Sequence, residues 1–377
     1  MRNAYIEITI NTSIKVIPTE SRKIQKVGHS TLTISLPKEW TKDKNVKQGD
    51  IVFVAPETDG SLRIITSDLA VREEAEEYVI NADVCNERLI ERLIVGSYIL
   101  GLDVIRITST NRIKGECVEE VRGIVKRLIG LGILEENPKN ILLQCSIDPT
   151  KFQMDMLIRR LSMITSTIYS EAMQALLEKN VDLAMDAISR EDEADIIFFL
   201  ATRLLVLARQ KRDLAEKIGF SKIILIPCTC IIVQYLELIA DYSESLAKVV
   251  INLEKHKVEI SETTLQKIDH LSELTHNIFQ KAVDCIFTKD LNTANSLIEM
   301  HEVLERRIEQ EMYKLPQIPY LRTIVSTLSK IADKGAIIAK LAINTALMDS
   351  EKHIGELVNI RKHIRTAPLP HRRECCP

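Results

Sequence analysis

Two acids four residues apart on a helix present both carboxylates to one side, because positions i and i+4 share a face. This chain carries that spacing twice. Glu191 and Asp195, with Asp192 and Glu193 between them, form the first pair, and Glu237 and Asp241 form the second. If the two helices are antiparallel neighbours, up to four carboxylates converge on one point. Such a hard, oxygen-rich set suits iron, manganese, magnesium or calcium. The alternative for Glu191 is a solvated acidic face. The second pair stands among Leu236, Leu238, Ile239 and Ala240, where two acids either line a groove or need a partner. A related set stands at His301 and Glu305, then Ser329 and Asp333. Three of those four can bind metal with less total charge, so a weaker second site is expected there.

Other chemistry is thinly supplied. Glu273 and His276 form a lone E-x-x-H, whereas a ferritin-like di-iron centre needs two such motifs and two further glutamates. They read as surface residues of a helix. No Walker A loop, G-x-S-x-G or G-x-G-x-x-G occurs, so no enzyme is expected. The eight cysteines show no C-x-x-C, which excludes a zinc ribbon and leaves buried free thiols in a reducing compartment as the expectation. Cys375 and Cys376 stand side by side in the terminal tail without a readable role.

The net charge is −3, so any contact with nucleic acid must rest on a local patch. Between Glu20 and Gly49 seven basic residues stand against three acids, a local excess of +4. A dimer would double that patch; solvated lysines are the plain alternative. Aromatic residues are only 4%, too few for base-stacking platforms. The longest uncharged stretch, Ile223 to Leu236, is 14 residues, short of the ~18 of a membrane span. A cytoplasmic chain with no membrane insertion is expected.

These residues need elements to hold them, and glycine marks where the elements change. Nine of the twelve glycines lie at or before Gly132, and between Pro149 and Pro316 the only proline is Pro227. Long helices are therefore expected after residue 150. Before it, Ser30 to Pro37 alternates as a strand, Lys38 to Lys47 is a short helix, and Ile51 to Ala55 and Leu62 to Thr66 are strands around an Asp59-Gly60 turn. So few apolar positions make a thin core and favour dimerisation. From Glu77 to Ile147 the order β-α-β-α-β-β predicts a small α+β layer: Val79-Ile80, Asn86 to Leu100, Asp103 to Thr108, Lys114 to Leu131, Ile133-Leu134 and Ile141 to Cys145.

The helical part repeats itself. LELIADYSESLAKVVINL, from Leu236 to Leu253, and LSKIADKGAIIAKLAINT, from Leu328 to Thr345, share eight of eighteen positions without a gap. Ile188 to Asp195 follows the pattern of Ile298 to Glu305 more loosely. An internal duplication of three helices is expected.

Two family resemblances rest on these stretches. RKIQKVGHSTLTISLPKEW from Arg22 to Trp40, with GDIVFV from Gly49 and GSLRI from Gly60, resembles the SpoVT/AbrB-type swapped-hairpin domain over roughly residues 20–67. That resemblance implies an interlaced homodimer and DNA contact through basic residues; by position and charge Arg22, Lys23, Lys26, His29 and Lys38 are the candidates. REDEAD from Arg190 and ELIAD from Glu237 resemble the paired metal motifs of PhoU, the phosphate-uptake regulator; Leu238 and Tyr242 stand where that family usually has Arg and His. The order of parts is similar to that of archaeal PhoU-like proteins. What this implies is a multidomain chain: an AbrB-like module over 1–67, an α+β domain over 68–148, PhoU-like three-helix repeats over 149–257 and 258–350, and a tail over 351–377. It further implies a multinuclear iron or zinc centre, with magnesium or manganese as alternatives from the donor set. The expected role is regulation of phosphate uptake, either through duplex DNA or as a non-DNA-binding adaptor docked on the transporter ATPase or a regulatory partner.

Overall fold

Where glycine and proline become scarce, the chain runs into long helices. A computed structural model describes residues 21–28, 30–56, 61–66, 77–85, 88–314, 316–318 and 320–349. His29, the Asp59-Gly60 turn and the tail with Cys375 and Cys376 lie outside the described residues. The chain divides into two units, Met1–Ala75 and Glu76–Pro377.

In the first unit, β1 (Gln25–Val27) pairs antiparallel with β2 (Thr31–Thr33), and β3 (Val52–Pro56) with β4 (Leu62–Thr66). Between the hairpins lies α1 (Lys38–Asp43). The strand expected over Ser30 to Pro37 shrinks to three residues. Ile24, Val27, Leu32, Ile34, Ile51, Phe53, Val54 and Leu62 are exposed, and Thr66 is the one buried residue among those described in this unit. These hairpins enclose no core of their own.

The second unit opens with the expected α+β layer. Strands β5 (Glu77–Asn81), β6 (Val104–Thr108), β7 (Leu131–Asn137) and β8 (Asn140–Cys145) form one sheet in the order β5-β6-β8-β7. β5 and β6 are parallel and linked through α2 (Leu89–Ile99); β8 lies antiparallel to both β6 and β7. The second helix, α3 (Gly115–Arg127), stops before the predicted Leu131. Gly130 turns the chain there at φ +80°, and a Cβ at that position would meet Ile147 Cβ at 2.8 Å. Ile90, Ile94, Tyr98, Val121 and Ile124 from the helices bury against Ile105, Ile107, Ile141 and Leu143 from the sheet.

The helical part repeats a three-helix plan. The first set is α4 (Met154–Glu178), α5 (Val181–Gln210) and, after the short α6 (Arg212–Lys217), α7 (Ile226–Lys255). The second is α8 (Glu262–Thr288), α9 (Leu291–Lys314) and α10 (Leu321–Asp349). The duplication extends to the joints. α4 and α8 both end on a left-handed lysine, Lys179 and Lys289. The next residue in each case, Asn180 or Asp290, accepts backbone N–H bonds from the first turn of the adjoining helix. Pro227 falls in the first turn of α7, where its missing N–H costs no helical bond. Within each set the helices pack on one another, and α7 against α10 and α4 against α8 join the sets into one core.

The uncharged run from Ile223 belongs to a longer apolar helix. Ile223–Lys255 is long and apolar enough to cross a membrane by length and composition, with a best-window mean hydropathy of 2.2. One acid, Glu237, falls within that window without lowering the mean enough. Its contacts with α4, α5 and α10 account for part of the apolarity, and 39% of that window is buried.

Candidate metal centres on the duplicated helices

α5 and α7 are packed neighbours, and their facing sides carry the first acidic set. Buried Ala194 flanks Asp195 on α5, and buried Leu236, Ile239 and Ala240 flank Glu237 and Asp241 on α7. The i, i+4 spacing does what it predicts: Glu191 and Asp195 share a hydrogen bond, as do Glu237 and Asp241. Asp195 is buried and the other three are half-buried. Burial, then the charges of Asp195, Glu244 and Asp241, push the Glu191 carboxyl up to about 7. Burial, then Asp241, Asp195 and Glu191, push Glu237 up to about 8. Asp195 and Asp241 are also raised, first by burial, with Arg127 pulling Asp195 the other way and the hydrogen bond from Glu237 pulling Asp241 down. Gln234 Nε2 donates to Glu237 Oε2 at 2.6 Å.

The helices of the second set bring their acids together more tightly. His301 Nε2 lies 2.8 Å from Asp333 Oδ1 across α9 and α10, and 4.0 Å from Glu305 Oε1. Donor atoms of His301, Glu305 and Asp333 all lie within 4.8 Å of one another, the one such group among the described residues. Ser329 Oγ, the fourth position of that set, donates to Glu305 Oε1 at 2.7 Å. The first set is therefore richer in charge, the second more closely gathered. In the second set an imidazole nitrogen and two carboxylates lie at separations that a divalent cation can bridge, whereas the first set offers carboxylate oxygens alone.

Arg22, Lys23, Lys26 and Lys38 are exposed on or beside the first hairpin and at the start of α1. His276 departs from its reading as a surface residue. It is half-buried, accepts or donates at Ser166 Oγ over 2.8 Å, and stacks on Tyr169 with ring centroids 5.4 Å apart. Burial holds its imidazole below the ordinary range, while Glu273 stays exposed. A cavity of about 590 Å³ opens between α4 and α8, lined by Arg159, Ser166, Gln174, Gln280 and Phe287 among others. None of the sequence-predicted site residues lines it.

Two arginines join the α+β layer to α5, and neither belongs to a motif. Arg127, the last residue of α3, donates to Asp195 and stands 3.5 Å from both Glu91 and Asp192. Arg203, fully buried on α5, donates to the carbonyls of Tyr98, Gly101 and Leu102 and to Asp103, just past the end of α2.

The PhoU domain family model matches residues 158–250, from within α4 to within α7. A crystal structure of PhoU from Pseudomonas aeruginosa is similar at a TM-score of 0.44 and 17% identity, over 52% of this chain and 96% of that one. No curated protein matches the chain in sequence.

Proposed function

We propose that the chain is a regulator of phosphate uptake, in which PhoU-like helices hold metal ions and the N-terminal hairpins pair with a second copy and contact duplex DNA. The supporting observation is that the PhoU match, residues 158–250, contains both acidic pairs, and that α5 and α7 turn them toward each other. Glu191, Asp195, Glu237 and Asp241 would hold one centre, and His301, Glu305 and Asp333 the other. A bound cation supplies concentrated positive charge that takes the place of the protons Glu191 and Glu237 retain. The role we propose for these centres is regulatory.

Metal analysis of the purified chain tests this reading. Changing Glu237→Gln with Asp241→Asn should remove most of the bound iron, zinc or manganese, and His301→Ala with Asp333→Asn should remove less. Unchanged content in the first variant would leave those acids as a surface feature. A duplex titration on the same sample separates the two regulatory readings. Each phosphate neutralised releases counterions, so log K should fall with log salt by about 0.9 per contact, less steeply after Arg22→Ala and Lys23→Ala. The adaptor reading is favoured where these cations stand beside exposed Ile24, Val27 and Leu32, a mixture suited to a protein surface. It takes the lead if no duplex binds at low salt.

A further inference from the structure

We propose that Arg127 is an internal cation of the first metal centre, seated on Asp195 so that an arriving metal ion and this guanidinium compete for one carboxylate. The inference rests on the metal reading above and adds a residue from outside the helical repeats. Arg127 closes α3 of the α+β layer and reaches three carboxylates: Asp195 and Asp192 on α5 and Glu91 on α2. Its Nε is buried without a hydrogen bond, 3.5 Å from Asp192 Oδ1, so the seat holds the charge more fully than it satisfies the donors. Phe199 on α5 lies under the guanidinium, 6.0 Å from ring centroid to Cζ.

Asp195 side-chain exposure is 12%, leaving little water to screen two cations on one carboxylate. Two cations on one carboxylate repel each other, and a divalent ion repels the guanidinium twice as strongly as a monovalent one at the same distance. One of the two must give way. If Arg127 is displaced, Arg203 still holds the layer in place. It lies further along α5 and grips the end of α2 through carbonyls, whose bonds do not depend on the acidic set. The α+β layer is thus fastened to α5 twice, once permanently and once by a contact the metal ion contests. By linkage, whatever the metal costs the Arg127 contact, that contact costs the metal.

The full-length chain, stripped with chelator and titrated with manganese(II), tests this against Arg127→Gln and Arg127→Lys. Arg127→Gln should bind manganese 5- to 100-fold more tightly, and Arg127→Lys should stay near the parent, because the charge and not the shape competes. Hydrogen exchange at the last turn of α3 supplies a readout that affinity alone does not. Manganese should speed exchange there in the parent; in Arg127→Gln exchange should already be fast and indifferent to the ion. Equal or weaker binding by Arg127→Gln, with exchange in α3 unmoved by manganese in the parent, overturns the proposal while leaving the metal centre standing. If no variant binds manganese, and Glu237→Gln changes nothing, the metal reading itself fails and takes the competition with it.

Discussion

At the scale of single residues, the first acidic set is a store of protons. Glu237 is pushed from an ordinary 4.5 to about 8, so the folded chain keeps a proton that the unfolded chain has already lost. Stability therefore falls as pH rises between about 4.5 and 8, because the folded state binds more protons across that window. Glu191, Asp195, Asp241 and Glu244 face the same space as acids, and Arg127 and Lys248 are cations against them. In chelator, the denaturation midpoint should drop from pH 5 to pH 8, and Glu237→Gln should recover ~1–2 kcal/mol at pH 8 after solvent screening is allowed for. A midpoint flat across that range in both chains would contradict this. Metal affinity should move oppositely and rise with pH, since ligand carboxylates must shed their protons first.

At the scale of elements, the close approach of α8 and α10 depends on one missing side chain. A Cβ at Gly335 would meet Phe279 Cα and Cβ at 2.9 Å and Ile278 Cγ2 at 3.0 Å. The aligned position in the first repeat is Ser243, fully buried with its Oγ on the Ile239 carbonyl, so both repeats keep that spot small. Helix propensity alone favours Ala over Gly by about 1 kcal/mol. Gly335→Ala should nevertheless destabilise by ~1–3 kcal/mol, because backbone cannot move aside as a side-chain tip can. Chemical denaturation reads the sign directly; a stabilised variant would mean the helices can separate without cost. Much of this architecture is legible in the sequence. Scarce glycine and proline announce the helices, the shared IAD and IN announce the repeat, and i, i+4 spacing puts each pair of acids on one face of its helix. What escapes is whatever depends on contacts between distant segments. Nothing in VKRLIG marks Arg127 as a partner for an acid 68 residues on. His276 reads as surface because a helix face is buried only by its neighbour, here Tyr169 of α4. The tightness of His301, Glu305 and Asp333 depends on how α9 meets α10, which spacing along either helix does not encode.

At the scale of the whole molecule, the two units differ in self-sufficiency. Glu76–Pro377 encloses extensive apolar cores, whereas the described hairpins of the first unit leave eight large apolar residues exposed. A second copy of those hairpins would cover them, so the full chain should sediment as a dimer and a chain beginning at Glu76 as a monomer. Phe53→Glu in the full chain should shift it toward monomer. Dimers of equal strength with and without the first unit would place the interface on the helices instead.

The apolarity of α7 has a consequence for how the chain is made. Its partners α4 and α5 precede it, but α10, which covers another of its flanks, is the last of these helices to leave the ribosome. For the time it takes to synthesise almost a hundred further residues, a segment that by composition could enter a bilayer stands half-dressed in the nascent chain. Synthesis then becomes a race between the arrival of α10 and capture by chaperones or the insertion machinery. Glu237 and Asp241, charged when the segment first meets water, would act during those seconds as its guard against the wrong compartment.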